Sequence, residues 1–286
     1  MGYNKIIRYA NTIETYTYGR HLPIRTGIRR NRKSKVLRSD LDDDGKDPLS
    51  PEEHKEKRED NARRAALVFR RLVSSNLEGT AYPVLITTTY RDNQEDLRIG
   101  YRDFHAFIKA LRHKFGALFR YIAVPEFQRR GAVHFHALFW DLPRDLCDTE
   151  RHTRLVAGLW KQGFVYMTMT DGNDRLSSYL TKYMAKSFTD PRLLNQKAYT
   201  CSRNVKRPII QGGISSYGVE SYLEECGAKN PIMDKSYDTH WLGQGRHRIY
   251  KLPDENPENI PKNLSQYMHF HTPKSDNILQ GQLPSK

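Results

Sequence analysis

The chain has 286 residues, carries a formal net charge of +14 and is 37% hydrophobic. That length holds one sizeable domain with extensions or two small ones, and the low apolar share predicts one real core with loosely packed terminal segments. The charge favours a polyanionic partner such as nucleic acid, with solubility as the plainer account. Cys147, Cys201 and Cys226 stand far apart with no C-x-x-C pair, which speaks against a disulfide framework and a cysteine-based zinc site. The stretch Met1 to Lys5 lacks the apolar core of a secretory signal, and no run approaches ~18 apolar residues. A reducing cytoplasm and no membrane association are expected.

In chain order, residues 1–49 come first. Arg29, Arg30, Arg32, Lys33 and Lys35 are nearly consecutive, and Asp40, Asp42, Asp43, Asp44 and Asp47 follow. Opposed charge blocks predict a flexible, solvated segment, with a basic arm touching DNA as the functional alternative. Ser50-Pro51-Glu52-Glu53 reads as a helix start, and the helix should run to about Ser74. Val84 to Tyr90 reads as a strand, Tyr101 to Phe115 as a helix stopped by Gly116, and Arg120 to Phe127 as a second strand. A turn at Gln128-Arg129-Arg130-Gly131 leads into a strand from Ala132 to Trp140. A helix over about 149–161, a strand from Phe164 to Thr170 and a helix from Arg175 to Ser187 complete a domain spanning 50–190. The order β-α-β-β-α-β-α predicts an α+β fold with a ferredoxin/RRM-like antiparallel sheet. Over residues 191–286 prolines and glycines interrupt every candidate element, so this extension has no legible fold.

The chemistry concentrates on His134-Phe135-His136. Alternate residues of a strand share a face, so both imidazoles can reach one metal ion. Two half-exposed histidines without a ligand are the plainer account. Glu126 lies on the preceding strand. With a three-residue loop, Arg129 to Gly131, and Gly131 left-handed, Glu126 falls opposite His134; a loop one residue shorter or longer turns it away. Two imidazoles and a carboxylate suit a divalent Mg²⁺ or Mn²⁺ acting as a Lewis acid. A second H-x-H, His269 and His271, has no strand around it and no acid at hairpin distance. On the last helix Tyr179 and Tyr183 stand one turn apart on one face, as do Lys182 and Lys186. A phenol can attack phosphorus when its developing charge is stabilised, and a lysine can hold a phosphate. Two half-buried tyrosines on an amphipathic helix are the bland alternative.

Taken in order, the Thr-rich strand Leu85-Ile86-Thr87-Thr88-Thr89-Tyr90, the His134-Phe135-His136 strand and the doubled Tyr-x-x-Lys of Tyr179 to Lys186 resemble the HUH endonucleases. The resemblance is to the two-tyrosine rolling-circle replication initiators of single-stranded DNA phages and plasmids, and covers roughly residues 82–190. It implies a metal held by His134, His136 and Glu126, and attack by one tyrosine to form a 5′-phosphotyrosine. The second tyrosine would then close the circle. The implied partners are single-stranded DNA at an origin, a host helicase (no P-loop is present) and a host DNA polymerase, in a bacterial cytoplasm. Arg129, Arg130, Thr87 and Thr89 are the expected DNA contacts. A two-tyrosine transposase would share these residues. A non-enzymatic single-stranded nucleic-acid module would instead carry stacking aromatics on its sheet, where this sequence places histidines.

Overall fold

The computed structural model describes residues 4–19, 51–77, 83–116, 118–143, 150–170, 187–193, 196–239 and 242–252. In chain order its elements are β1 (Asn4–Tyr9), β2 (Thr12–Tyr18), α1 (Pro51–Leu77), β3 (Val84–Tyr90), α2 (Leu97–Phe115), β4 (Arg120–Phe127), β5 (Val133–Trp140), α3 (Glu150–Trp160), β6 (Gly163–Met169), β7 (Thr200–Cys201), β8 (Ile209–Ile214), α4 (Ser216–Glu225), β9 (Met233–Thr239) and β10 (Gly243–Lys251). The fold is α+β, with two open five-stranded antiparallel sheets and helices packed on them. Two units separate: residues 31–208, and residues 1–30 with 209–286.

In the unit of residues 31–208 the strand order is β6-β3-β5-β4-β7. Every neighbouring pair is antiparallel. The run β3-α2-β4 leaves a gap that β5 fills, and β5-α3-β6 brackets β3 in the same way. This is the doubled split β-α-β of a ferredoxin/RRM-like sheet. Strict alternation sorts the side chains between its faces. Val84 and Ile86 of β3, and Val133, Phe135, Ala137 and Phe139 of β5, share one core with Phe104, Phe107 and Leu111 of α2 and Val156 and Trp160 of α3. Phe104 stacks on Phe135 with centroids 4.6 Å apart.

Helix α2 begins at Leu97, one turn before Tyr101. The Asp96 carboxylate caps it by accepting the Arg98 N–H at 2.8 Å. Gly100 in this first turn is a poor helix former, but it serves packing: a Cβ there would meet Val133 Cγ1 at 3.2 Å. The helix stops at Gly116, whose φ of +87° favours glycine.

The other face of the sheet is divided. Ile122, Val124, Leu138 and Trp140 pack against Phe69, Leu72 and Val73 of α1. The end of α1 is fixed by a buried polar network. Asn76 Oδ1 accepts from Arg120 Nη1 at 2.8 Å and from the Lys206 N–H at 2.9 Å. The rest of Arg120 is paired with Asp141. The half of this face beyond α1 carries the two histidines.

In the other unit the order is β8-β1-β2-β10-β9. Ile6, Ile13, Ile214 and Tyr250 pack against Val219, Tyr222 and Leu223 of α4. The expectation of a flexible segment over 1–49 is corrected for residues 4–18, which form a hairpin turning at Ala10 and Asn11, with Ala10 at φ 45°. Its strands pair with β8 and β10, some two hundred residues on. Charge blocks nearby in sequence say nothing about such non-local pairing. The blocks themselves, 29–47, lie outside the described residues. Across 191–252 the prolines and glycines do not prevent regular elements: Pro208 precedes β8, while Gly212 and Gly213 lie within it. Inside this unit Glu14 is fully buried; it accepts from Tyr9 Oη at 2.6 Å and Tyr16 Oη at 3.1 Å, with His247 Nε2 at 3.2 Å.

Candidate metal centre

The β4–β5 turn decides where the acid falls. Gly131 takes a φ of +94°, its N–H donates to Gln128 O at 2.9 Å, and the Gln128 N–H donates to Ala132 O at 2.8 Å. This is the three-residue loop, and it sets Glu126 directly opposite His134. Two rows then cross the open half of the sheet. The first runs Phe164, Thr89, His134, Glu126; the second runs Tyr166, Thr87, His136, Val124.

Within these rows Glu126, His134 and His136 form a cluster whose ligand atoms all lie within 4.8 Å of one another. Glu126 Oε2 is 3.1 Å from His134 Nε2 and 2.9 Å from His136 Nε2. The imidazole side chains are 13% and 12% exposed, the carboxylate 30%. Both rings thus bring the same nitrogen close to one oxygen. The two imidazoles, His134 first, hold the Glu126 carboxyl well below the usual carboxylate range, so it is ionised at neutral pH.

The donor set fits a divalent cation. His134 Nε2 is buried and lacks a well-directed hydrogen bond, because its short contact to Glu126 is off the hydrogen-bond direction. A buried ring nitrogen left in this state calls for a partner. One ion between the three ligand atoms would satisfy it. The supporting contact is also present: Thr87 Oγ1 lies 3.0 Å from His136 Nδ1, and so orients that ring with Nε2 inward.

The remaining expected site residues divide. Thr89 lies in the row of His134, and its carbonyl accepts from Trp160 Nε1 at 3.1 Å. Arg129 is exposed on the turn. Arg130 directs its guanidinium to protein acceptors: Tyr90 O at 2.6 Å, Arg91 O at 3.3 Å and Gln128 Oε1 at 3.1 Å. It braces the turn against the end of β3. Tyr179, Lys182, Tyr183 and Lys186 lie outside the described residues, as do His269 and His271. Tyr90, at the end of β3, is turned to the opposite face. Burial, together with its hydrogen bond to Asp103 Oδ2 at 2.9 Å, pushes its phenol far up.

Two features were not singled out in the sequence. Arg192 lies over the Phe127 ring at 4.1 Å and is paired with Asp190 at 2.6 Å, beside the strand that carries Glu126. Phe164 and Tyr166 are 71% and 67% exposed on the same face as the histidines. The supposition that histidines stand in place of aromatics on this sheet is therefore corrected: the face carries both. Gly-Phe-Val-Tyr-Met-Thr-Met is apolar at nearly every position, so its alternation does not reveal which side faces out.

Residues 83–188 match the family model of the replication-associated protein ORF2/G2P. No curated protein matches the chain. The matched segment begins one residue before β3, contains the whole ferredoxin-like sheet except β7, and extends through the segment bearing Tyr179 and Tyr183.

Proposed function

We propose that this chain, whose residues 83–188 match the family model of the replication-associated protein ORF2/G2P, is an HUH-type initiator that starts rolling-circle replication by nicking and rejoining single-stranded DNA through a tyrosine-linked 5′ end. The observation that carries the proposal is the convergence of Glu126, His134 and His136 on the open half of the sheet, inside the matched segment.

A Mg²⁺ or Mn²⁺ ion held by these three side chains would draw charge from the oxygens of the scissile phosphate. Glu126, already ionised, and Thr87, against His136, keep the ligand atoms in place without rearrangement. Tyr179 or Tyr183 supplies the nucleophilic oxygen. It attacks the phosphorus, the bond to the 3′ oxygen breaks, and that oxygen takes up a proton as the phenol gives one up. The 5′ end is now a phosphotyrosine, and the free 3′-hydroxyl primes a host polymerase working behind a host helicase. After one round the second tyrosine attacks the regenerated junction, and the 3′-hydroxyl then displaces the first. Each step exchanges one phosphodiester for another, so no nucleotide is consumed in joining. Lys182 and Lys186, each three residues from a tyrosine, hold phosphate oxygens. Arg129 and Thr89 contact the DNA backbone at the sheet end.

A non-enzymatic single-stranded DNA module is the second candidate, favoured by the exposed Phe164 and Tyr166. The two part on cleavage. Labelled single-stranded origin DNA incubated with the protein and Mn²⁺ should give a shorter strand and a protease-sensitive covalent adduct. EDTA, or His134→Ala with His136→Ala, should remove both. Retarded DNA without any cleavage, across sequences spanning the cognate replicon, would favour the binding module.

A further inference from the structure

Strand β6 is an edge strand, and edge strands usually avoid bare apolar rings because these invite association. Here Phe164 and Tyr166 project from it, largely exposed, while their neighbours Val165 and Met167 pack into the core below. The rings alternate with these half-buried residues, so both stand on the face that carries the candidate metal centre. Each begins one of its rows: Phe164 pairs with Thr89 and, through it, with His134, while Tyr166 pairs with Thr87 and, through it, with His136. Neighbouring strands lie ~4.8 Å apart, so β6 stands about 10 Å from the histidine strand. That span is on the order of one to two nucleotides of an extended strand.

Backbone packing fixes this placement. Gly163 pairs with Tyr90 at the head of β6, and a Cβ on it would run into the Thr89 carbonyl and lie 2.5 Å from the Arg91 nitrogen. The Arg91 N–H also donates to Gln162 O at 2.9 Å. These contacts hold the register that sends Phe164 and Tyr166 outward on the site's face. Exposed cations Arg91 and Lys161 flank the head of the strand, within a chain of net charge +14.

We propose that Phe164 and Tyr166 form a base-stacking platform for the nucleotides flanking the scissile phosphate, and so position single-stranded DNA across the metal centre. The proposal rests on the replication-initiator function above and names the surface that holds its substrate. Flat rings beside a charged backbone path are how single strands are gripped without regard to sequence, because every base offers a face. Duplex DNA, its bases already stacked, gains nothing from the rings. They act as positioning residues: they take no part in bond making.

The test is fluorescence anisotropy of the full chain with labelled oligo-dT in EDTA, where no nicking occurs. Phe164→Ala/Tyr166→Ala should weaken binding at least about tenfold, with the slope of affinity against salt unchanged because no phosphate contact is lost. Phe164→Leu/Tyr166→Leu keeps apolar bulk without a flat ring and should fall as far. Phe164→Trp/Tyr166→Trp should bind at least as well as the parent, with its new indole emission quenched by DNA. Affinity for a duplex should hardly move in any variant. Wild-type affinity in the alanine or leucine variant, or an equal loss for duplex and single strand, overturns the platform. Because cleavage is not read, a failure here leaves the tyrosine chemistry standing, and a failure of that chemistry leaves the platform measurable.

Discussion

At the scale of single residues, the site is made by where ring nitrogens point. His134 and His136 share a face because they are two apart on β5, but a shared face does not aim both Nε2 atoms at one oxygen. For His136 the hydroxyl of Thr87 does that, 3.0 Å from Nδ1. Thr87→Val keeps the branched shape and removes the hydroxyl. It should weaken Mn²⁺ binding about tenfold, the low end of what loss of such a supporting contact costs, measured by calorimetry on the DNA-free protein. Secondary structure and melting should hardly change. Unchanged Mn²⁺ affinity would mean that His136 is oriented by its packing alone. Thr87 was expected to touch DNA, and the sequence held no sign of its partner, since the pairing of β3 with β5 spans 49 residues.

Elements decide which of these side chains meet. The turn from Gln128 to Ala132 was legible, but its length was not: a three-residue loop closing on Gly131 was one option, and the structure takes it, which puts Glu126 opposite His134. The strands of the ferredoxin-like sheet were legible as short apolar runs closed by turn residues. The face exposed by β6 was not, because both of its sides are apolar. Its register depends on Gly163, where backbone meets backbone. Gly163→Ala should cost about 1–3 kcal/mol, as overpacking against an immovable neighbour does, read as a lower denaturation midpoint in urea. It should also weaken single-stranded DNA binding by displacing Phe164 and Tyr166. A variant as stable as the parent would show that β3 and β6 can separate there without loss.

For the whole molecule, sequence patterns failed where partners are distant. The hairpin of residues 4–18 is stabilised by strands some two hundred residues on, and its local composition, charged and polar between short apolar pairs, reads as a solvated arm. The C-terminal strands are broken by glycine and proline at their ends and bear charge on exposed faces, so no run is long enough to stand out. The domain with the histidines could be read because its contacts repeat a regular alternation. The proposed chemistry also needs Tyr179 or Tyr183, which lie outside the described residues, so the identity of the nucleophile is what the proposed function stands on.

Mass spectrometry of the covalent adduct tests it most directly. After reaction with single-stranded origin DNA and Mn²⁺, nuclease trimming and trypsin digestion, Tyr179 falls in the peptide 176–182 and Tyr183 in the peptide 183–186, while the exposed Tyr166 falls in 162–175. A nucleotide-bearing phosphotyrosine is expected at Tyr179 or Tyr183, and should be lost in Tyr179→Phe/Tyr183→Phe. An adduct on Tyr166 or any other residue, or cleaved DNA with no adduct at all, would contradict the proposed function.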